Sequence, residues 1–416
     1  MSGIRGLRDY TPDETEKFEF IRQSFTELAR LYSFRLMEPS PMEALETLEA
    51  KSGPGIRNEI YFFTDKGGRE LGLRFDLTVG ITRYACEDRG AQLPIKLASF
   101  ADVFRYDEPQ KGRYRWFYQW DIETYGSAHL ESDAEMIDFT GSLLSKVGIK
   151  DYIIKIGDRG VVEEYIVKRL GRRGEQAIEL MRALDKVDKK TNRELMEEYT
   201  AKGFGEYEVR KVLELGRIEG RAEEVESMMK EEGVSTQRMM ELADLLKGTG
   251  TNFDICLSVV RGIDYYTSVV FEAFDANEQG IGSLAGGGRY DSLPKLFGRD
   301  DLPATGVAGG VERLMLAIGD RKAPEKGQRI YVAYTGGKIK EAISISSLLR
   351  KMGKEVMVDL QRRSLSKQLE IASRSGYEKV VIVAPEEISR ELVIIKNMKD
   401  KTESRVELKS LAKEIL

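Results

Sequence analysis

Phe104-Arg105-Tyr106-Asp107-Glu108-Pro109-Gln110-Lys111-Gly112-Arg113-Tyr114-Arg115-Trp116-Phe117-Tyr118-Gln119-Trp120-Asp121-Ile122-Glu123 reads as strand, charged loop, strand. In the second strand side chains alternate between faces. Trp116, Tyr118, Trp120 and Ile122 share one face, and Phe117, Gln119, Asp121 and Glu123 share the other. One face is apolar and the other is equipped for polar recognition. Alternation alone also fits an ordinary half-exposed sheet with its polar side toward water.

Outward from this hairpin, strand-like runs rich in aromatic and β-branched residues occupy Leu71 to Phe75, Ile95 to Phe104, Arg115 to Tyr125, Phe253 to Val260 and Val269 to Phe274. They are expected to form one mostly antiparallel sheet. Phe18, Ile21, Phe25, Leu28 and Leu31 recur at helical spacing, so an amphipathic helix is expected from Glu16 to Tyr32. Between Arg159 and Gly250, Lys, Arg and Glu dominate and helices such as Glu175 to Leu184 and Glu223 to Glu231 follow one another. That segment reads as a helical insertion. After a polar linker, Asp320 to Gln328, strands at Arg329 to Tyr334, Val356 to Val358 and Val380 to Ala384 alternate with helices, one ended by Gly353 and one capped by Ser364. This βαβαβ order predicts a small parallel sheet. The fold class expected is α/β multidomain: residues 1–158 and 251–322 as one domain, 159–250 inserted, and 329–416 as a separate α/β domain.

The chain has 416 residues, 41% hydrophobic and 32% charged, with a net charge of −5. Such a size suggests two or three domains, and the absence of a long apolar run predicts no membrane span. Met1 to Asp13 lack a secretory pattern, so a cytoplasmic location is expected. Cys86 and Cys256 stand alone and are expected to be buried, without disulfide or zinc. A single histidine, His129, argues against sites built from several histidines and against a Ser-His-Asp triad; no resident metal site is expected. Net acidity requires any nucleic-acid site to be locally basic.

Further segments stand out: Leu73-Arg74-Phe75-Asp76-Leu77-Thr78, Arg261-Gly262-Ile263-Asp264-Tyr265-Tyr266-Thr267, Ala285-Gly286-Gly287-Gly288-Arg289-Tyr290-Asp291, Gly306-Val307-Ala308-Gly309-Gly310-Val311-Glu312-Arg313-Leu314 and Asp359-Leu360-Gln361-Arg362-Arg363-Ser364-Leu365-Ser366-Lys367-Gln368-Leu369. Gly280 to Ala285 imitates a dinucleotide fingerprint, but the glycines that follow are poor helix starters. No Walker loop is present. Together with the opening hairpin these segments resemble the class II aminoacyl-tRNA synthetases, in the form found in histidyl-tRNA synthetases. The hairpin matches motif 2, Gly306 to Leu314 matches motif 3, two others match the histidine-site motifs, and the carboxy-terminal domain resembles the class IIa anticodon-binding domain. Departures are Gly80 where the family often has Pro and Ser268 where Gly is usual.

The resemblance implies histidine activation with ATP and transfer to the 3′ end of tRNA(His). It assigns Arg105 to the α-phosphate and the histidine carboxylate, Arg105, Asp107, Arg113 and Arg313 to ATP, and Arg261 to the charge of the transition state. Histidine would meet Asp76, Thr78, Gln119, Glu123, Tyr265, Tyr266 and Tyr290, with Asp76 and Thr78 at its ammonium and Glu123 and Tyr266 at its imidazole. Catalytic residues by the same carry-over are Arg105, Arg261 and Gln119; Gln110, Arg362 and Arg363 would face tRNA. ATP brings Mg²⁺. A homodimer paired around motif 1, between Phe18 and Pro41, is implied. The alternative is a non-catalytic paralogue, such as a histidine-sensing regulatory subunit of ATP phosphoribosyltransferase, which typically lacks a tRNA-reading end.

Overall fold

A computed structural model describes residues 5–52, 54–106, 108, 114–187, 190–260, 265–319 and 329–414. The chain divides into two compact units, Met1–Arg321 and Lys322–Leu416.

In the first unit, nine strands among the described residues form one sheet: β1 (Arg35–Leu36), β5 (Ile95–Phe104), β6 (Trp116–Tyr125), β7 (Tyr152–Asp158), β8 (Glu219–Gly220), β9 (Phe253–Cys256), β10 (Val269–Asp275), β11 (Ala285–Arg289) and β12 (Ala304–Gly310). Their order is β1-β5-β6-β12-β11-β10-β7-β9-β8. Only the β1/β5 and β7/β9 pairs are parallel, so the sheet is mostly antiparallel as expected. The run at Leu71 to Phe75 does not join it. It forms β4 (Glu70–Leu73), which pairs with β2 (Met42–Ala44) and β3 (Phe62–Thr64) in a separate three-stranded sheet. A Cβ on Gly72 would lie 2.6 Å from Leu48 Cδ1. The bare backbone there lets β4 press on the Leu45–Ser52 helix, a tertiary reason that alternation does not carry.

The strand that carries the polar residues is β6, third in this order and flanked by β5 and β12. Its apolar face meets two helices, Pro12–Leu31 and Leu130–Lys146. Trp120 packs against Phe25 and Phe139, with ring centroids 5.9 Å and 6.2 Å away. The second half of the strand is buried on both sides, Trp120 and Ile122 on one and Gln119, Asp121 and Glu123 on the other. The first helix starts earlier than its apolar period suggests, because Thr11 and Glu14 form a capping box and Pro12 takes the first turn, where its missing N–H is harmless. Helices Glu175–Leu184, Asn192–Ala201, Glu206–Leu215, Ala222–Glu231 and Gln237–Leu246 fill the segment before β9.

The second unit has β13 (Arg329–Tyr334), β14 (Glu355–Val358), β15 (Lys379–Val383), β16 (Leu392–Asn397) and β17 (Glu403–Glu407), in the order β14-β13-β15-β16-β17. The first three are parallel, and β16 and β17 add antiparallel. The sheet is therefore mixed, because after β15 the short Pro385–Ser389 helix turns the chain back beside β15 instead of carrying it across the sheet, and β17 then closes a hairpin on β16. Gly353 and Gly376 end the two helices at φ +77° and +69°. Ser364 occupies the cap position without donating or accepting a side-chain cap bond.

Candidate active site

A cavity of about 380 Å³ opens on the polar face of β6, a size usual for small-molecule sites. Separate places along the chain supply its wall. Asp76 and Thr78 come from the start of the Thr78–Glu87 helix, Arg105 from the end of β5, and Gln119 and Glu123 from β6. Tyr265, Tyr266 and Tyr290 flank β10 and β11, and Arg313 leads the Val311–Ile318 helix.

Glu123, 1% exposed, lies opposite Gly306 across the β6/β12 ladder. A Cβ on Gly306 would sit 1.5 Å from Glu123 Oε2, so only glycine leaves this carboxylate its place. The Tyr290 hydroxyl donates to Glu123, and Tyr265 stacks on Tyr290 at 5.0 Å and 15°. Burial first, then the charge of Glu123, pushes both phenols far above their ordinary range. They stay protonated, and Tyr290 stays a donor. Tyr290 thus secures the position of a carboxylate that can accept from a ring N–H.

The opposite chemistry gathers at the other end of the strand. Arg105 Nε donates to the Phe75 carbonyl at 2.8 Å and Nη2 to Gln119 Oε1 at 3.4 Å. Arg313 Nη1 donates to the Ser283 carbonyl at 2.7 Å, which fixes its guanidinium in the pocket wall. Two arginine forks beside a polar cleft suit phosphate and carboxylate oxygens. Glu312, next to Arg313, accepts from Tyr10 Oη and from the Tyr118 N–H at 2.9 Å. Because Arg115 N–H also donates to the Gly6 carbonyl at 2.9 Å, the amino-terminal segment is tied to both β6 and the Arg313 helix.

A model of the family described as "Histidyl-tRNA synthetase" matches residues 6–314, and one described as "Anticodon binding domain" matches residues 329–416. The histidine–tRNA ligase of Pyrococcus horikoshii is 37% identical over 425 residues, covering 99% of this chain and 98% of that one. The chain belongs to the histidyl-tRNA synthetase family. At the level of fold, the histidyl-tRNA synthetase of Nostoc sp. PCC 7120 is similar with a TM-score of 0.85 at 23% identity, over 100% of this chain and 98% of that chain. A Bacillus halodurans structure titled as an ATP phosphoribosyltransferase regulatory subunit/histidyl-tRNA synthetase is similar with a TM-score of 0.76 at 23% identity, over 92% and 98%.

Of the residues the family resemblance singled out, the structure brings Asp76, Thr78, Arg105, Gln119, Glu123, Tyr265, Tyr266, Tyr290 and Arg313 into one cavity. Asp107, Gln110, Arg113 and Arg261 lie outside the described residues. In the glycine run, Gly286 lines the cavity, while Gly287 and Gly288 lie outside its wall. Cβ atoms there would lie 2.4 Å from the Gly306 carbonyl and 2.3 Å from the Val269 carbonyl, so these glycines let strands approach one another. In the second unit Arg363 pairs with the buried Asp359 at 2.7 Å, while Arg362 is exposed at φ +53°. Lys367 and Arg374 both pair with Glu370, at 2.9 Å each. These last pairs are exposed and weak, readily exchanged for other anions.

Sequence reading missed three contributors. Gly306 lies in a motif by sequence, but that it is the space Glu123 needs follows only from the strand register. Tyr10 and Glu312 are 302 residues apart and nothing local links them. Gln368 donates to the Tyr334 carbonyl and accepts from its N–H, at 2.9 Å and 3.0 Å, latching its helix to β13; a buried glutamine inside an amphipathic pattern was the available signal.

Proposed function

We infer that this chain is a histidine–tRNA ligase that activates histidine with ATP to histidyl-adenylate and transfers it to tRNA(His). The observation that carries this reading is the Glu123–Tyr290 pair in a cleft whose other end holds Arg105 and Arg313. Glu123 accepts an imidazole N–H, with Tyr266 beside it, and Asp76, Thr78 and Gln119 take the ammonium end. A pocket built to hydrogen-bond a polar side chain rejects analogues lacking it by ~10⁴ or more.

In the first step an oxygen of the histidine carboxylate attacks the α-phosphorus of ATP, the bond to the bridging oxygen breaks, and pyrophosphate leaves. The carboxylate is already a nucleophile, so no general base is needed. Arg105 and Arg261 stabilise the charge of the transition state, and Arg113, Asp107 and Arg313 hold the nucleotide. Mg²⁺, arriving with ATP as part of the substrate, would supply neutralisation of phosphate charge. Glu272, a carboxylate in the same cavity wall, fits as its protein ligand, since Mg²⁺ commonly takes one or two carboxylates plus phosphate oxygens. In the second step a hydroxyl of the tRNA 3′-terminal adenosine displaces AMP.

We assign residues 1–158 and 251–322 to the catalytic domain, 159–250 to an insertion, and 329–416 to anticodon binding, with Gln110, Arg362 and Arg363 toward tRNA. The anticodon-domain match weighs against the regulatory reading. A homodimer through the motif 1 region is supported by apolar side chains left open there, Leu31 at 77% and Leu36 at 44% exposure; light scattering giving a monomer at micromolar concentration contradicts it. No helix among the described residues is long and apolar enough to cross a membrane, and the cytoplasm, where tRNA and ATP are available, is the location we propose. The deciding experiment is ATP–pyrophosphate exchange across the twenty amino acids. Exchange with histidine alone supports the reading, and exchange with another amino acid or with none overturns it.

A further inference from the structure

We propose that Asp121 is a positioning residue for the substrate's ammonium group, turning two neutral neighbours into acceptors. The inference rests on the reading of the cavity as a histidine site. Asp121 is fully buried on β6 between Gln119 and Glu123 and is not among the residues that line the cavity. Gln119 Nε2 donates to both of its oxygens, at 2.8 Å and 3.1 Å, and Thr78 Oγ1 donates to Oδ2 at 3.3 Å.

A side-chain amide can be turned either way round, and its surroundings decide which way. A carboxylate accepts and does not donate. Beside Asp121 the Gln119 amide must therefore turn its NH₂ inward, which directs Oε1 toward Arg105 Nη2 at 3.4 Å and the cavity. The Thr78 hydroxyl proton is committed in the same way, leaving the lone pairs of Oγ1 to accept. An ammonium carries three donors and no acceptor. Gln119 Oε1, Thr78 Oγ1 and the Asp76 carboxylate, all in the cavity wall, offer it acceptors only. Without Asp121 only the long 3.4 Å contact from Arg105 holds the amide's orientation, and its NH₂ group, which repels a cation, can turn to the cavity. The negative charge of Asp121, held behind the wall and away from salt, adds to the same preference.

Asp121→Asn keeps the shape but can donate as well as accept, so it removes the constraint on Gln119 and Thr78. Calorimetric titration of the full chain with three ligands reads the effect. L-histidine and histidinol carry the ammonium; 3-(imidazol-4-yl)propionate carries the ring and the carboxylate without it. Asp121→Asn is expected to weaken histidine and histidinol by about 10-fold or more, with the propionate changed by less than about 3-fold. An equal loss on all three ligands marks a merely structural residue and overturns the proposal, as does no loss on any. If Asp121→Asn melts too low to titrate, Asp121→Ser, which also can donate and lacks the charge, is titrated in its place: loss confined to the two ammonium ligands supports the proposal and an even loss overturns it. Wild-type protein that fails to bind histidine overturns the histidine-site reading together with this one. Binding of histidine with a uniform loss in the variants overturns the role of Asp121 alone.

Discussion

At Gly306 a single hydrogen atom in place of a methyl group decides whether Glu123 can stand where it does. Gly306→Ala is expected to lower histidine-dependent pyrophosphate exchange by about 10²-fold, since a shift near 1 Å in a recognition group costs that much. A circular dichroism spectrum matching the wild type, with exchange unchanged, would sink this account of the register. Glu312 gives a pH-dependent test. Burial raises its pKa above the ordinary 4.5, although hydrogen bonds from Tyr10 and Tyr118 work the other way, and its Oε2 is buried without a hydrogen-bond partner among the described residues. A carboxyl whose pKa is raised on folding is protonated in both states at low pH and costs stability once the pH rises past its unfolded value. Glu312→Gln should therefore gain melting temperature relative to wild type between pH 4 and pH 8, and a difference that stays flat across that range contradicts it. At this scale the family resemblance singled out Glu123, Gln119, Asp76, Thr78 and Tyr290, which share one cavity, whereas alternation alone left the polar face of β6 readable as an ordinary solvent face. What was not legible, Gly306 as a space and Tyr10 as a partner of Glu312, depends on which strands lie side by side.

Elements show the same division. The amphipathic period of the first helix and the alternation in β5 and β6 write their burial into the sequence, since each exposes one face to a core and the other to something polar. By contrast β11 and β12, Ala285–Arg289 and Ala304–Gly310, are so rich in glycine that they carry no strand signature, yet they form the middle of the sheet. Their glycines answer to neighbours: a Cβ on Gly309 would lie 2.5 Å from the Trp120 ring. The hairpin β16/β17 was missed because the alternating βα reading ended at β15. In the second unit the Leu365–Arg374 helix is held to β13 by Gln368, whose amide satisfies both backbone groups of Tyr334. Gln368→Ala leaves those groups buried and unpaired, at an expected cost of about 1–3 kcal/mol in chemical denaturation. Glu370→Ala, which removes only exposed ion pairs on the same helix, should stay within about 0.5 kcal/mol. Equal effects from the two variants would refute the latch.

On the scale of the whole molecule, the two units have separate hydrophobic cores. Ending the chain near Ala323 is expected to leave histidine activation largely intact and to weaken tRNA charging strongly, because the phosphate and base contacts of residues 329–416 go together. Unchanged charging by the shortened protein, measured beside its exchange activity, would refute the anticodon role. The strand order of the larger unit also governs how it is born. Glu123 waits for Tyr290 across 167 residues, and β6 has no neighbour on its β12 side until still more chain has appeared. At ribosomal speeds of about 5–20 residues per second the interval is on the order of ten seconds or more. Throughout it the helices of residues 175–246, built from local contacts, are able to form, while β6 offers an unpaired edge beside the ring of Trp120. Nascent chains of this protein are thus most vulnerable to sticking at the strand that will later recognise the substrate, and it is there that a holding chaperone has most to protect.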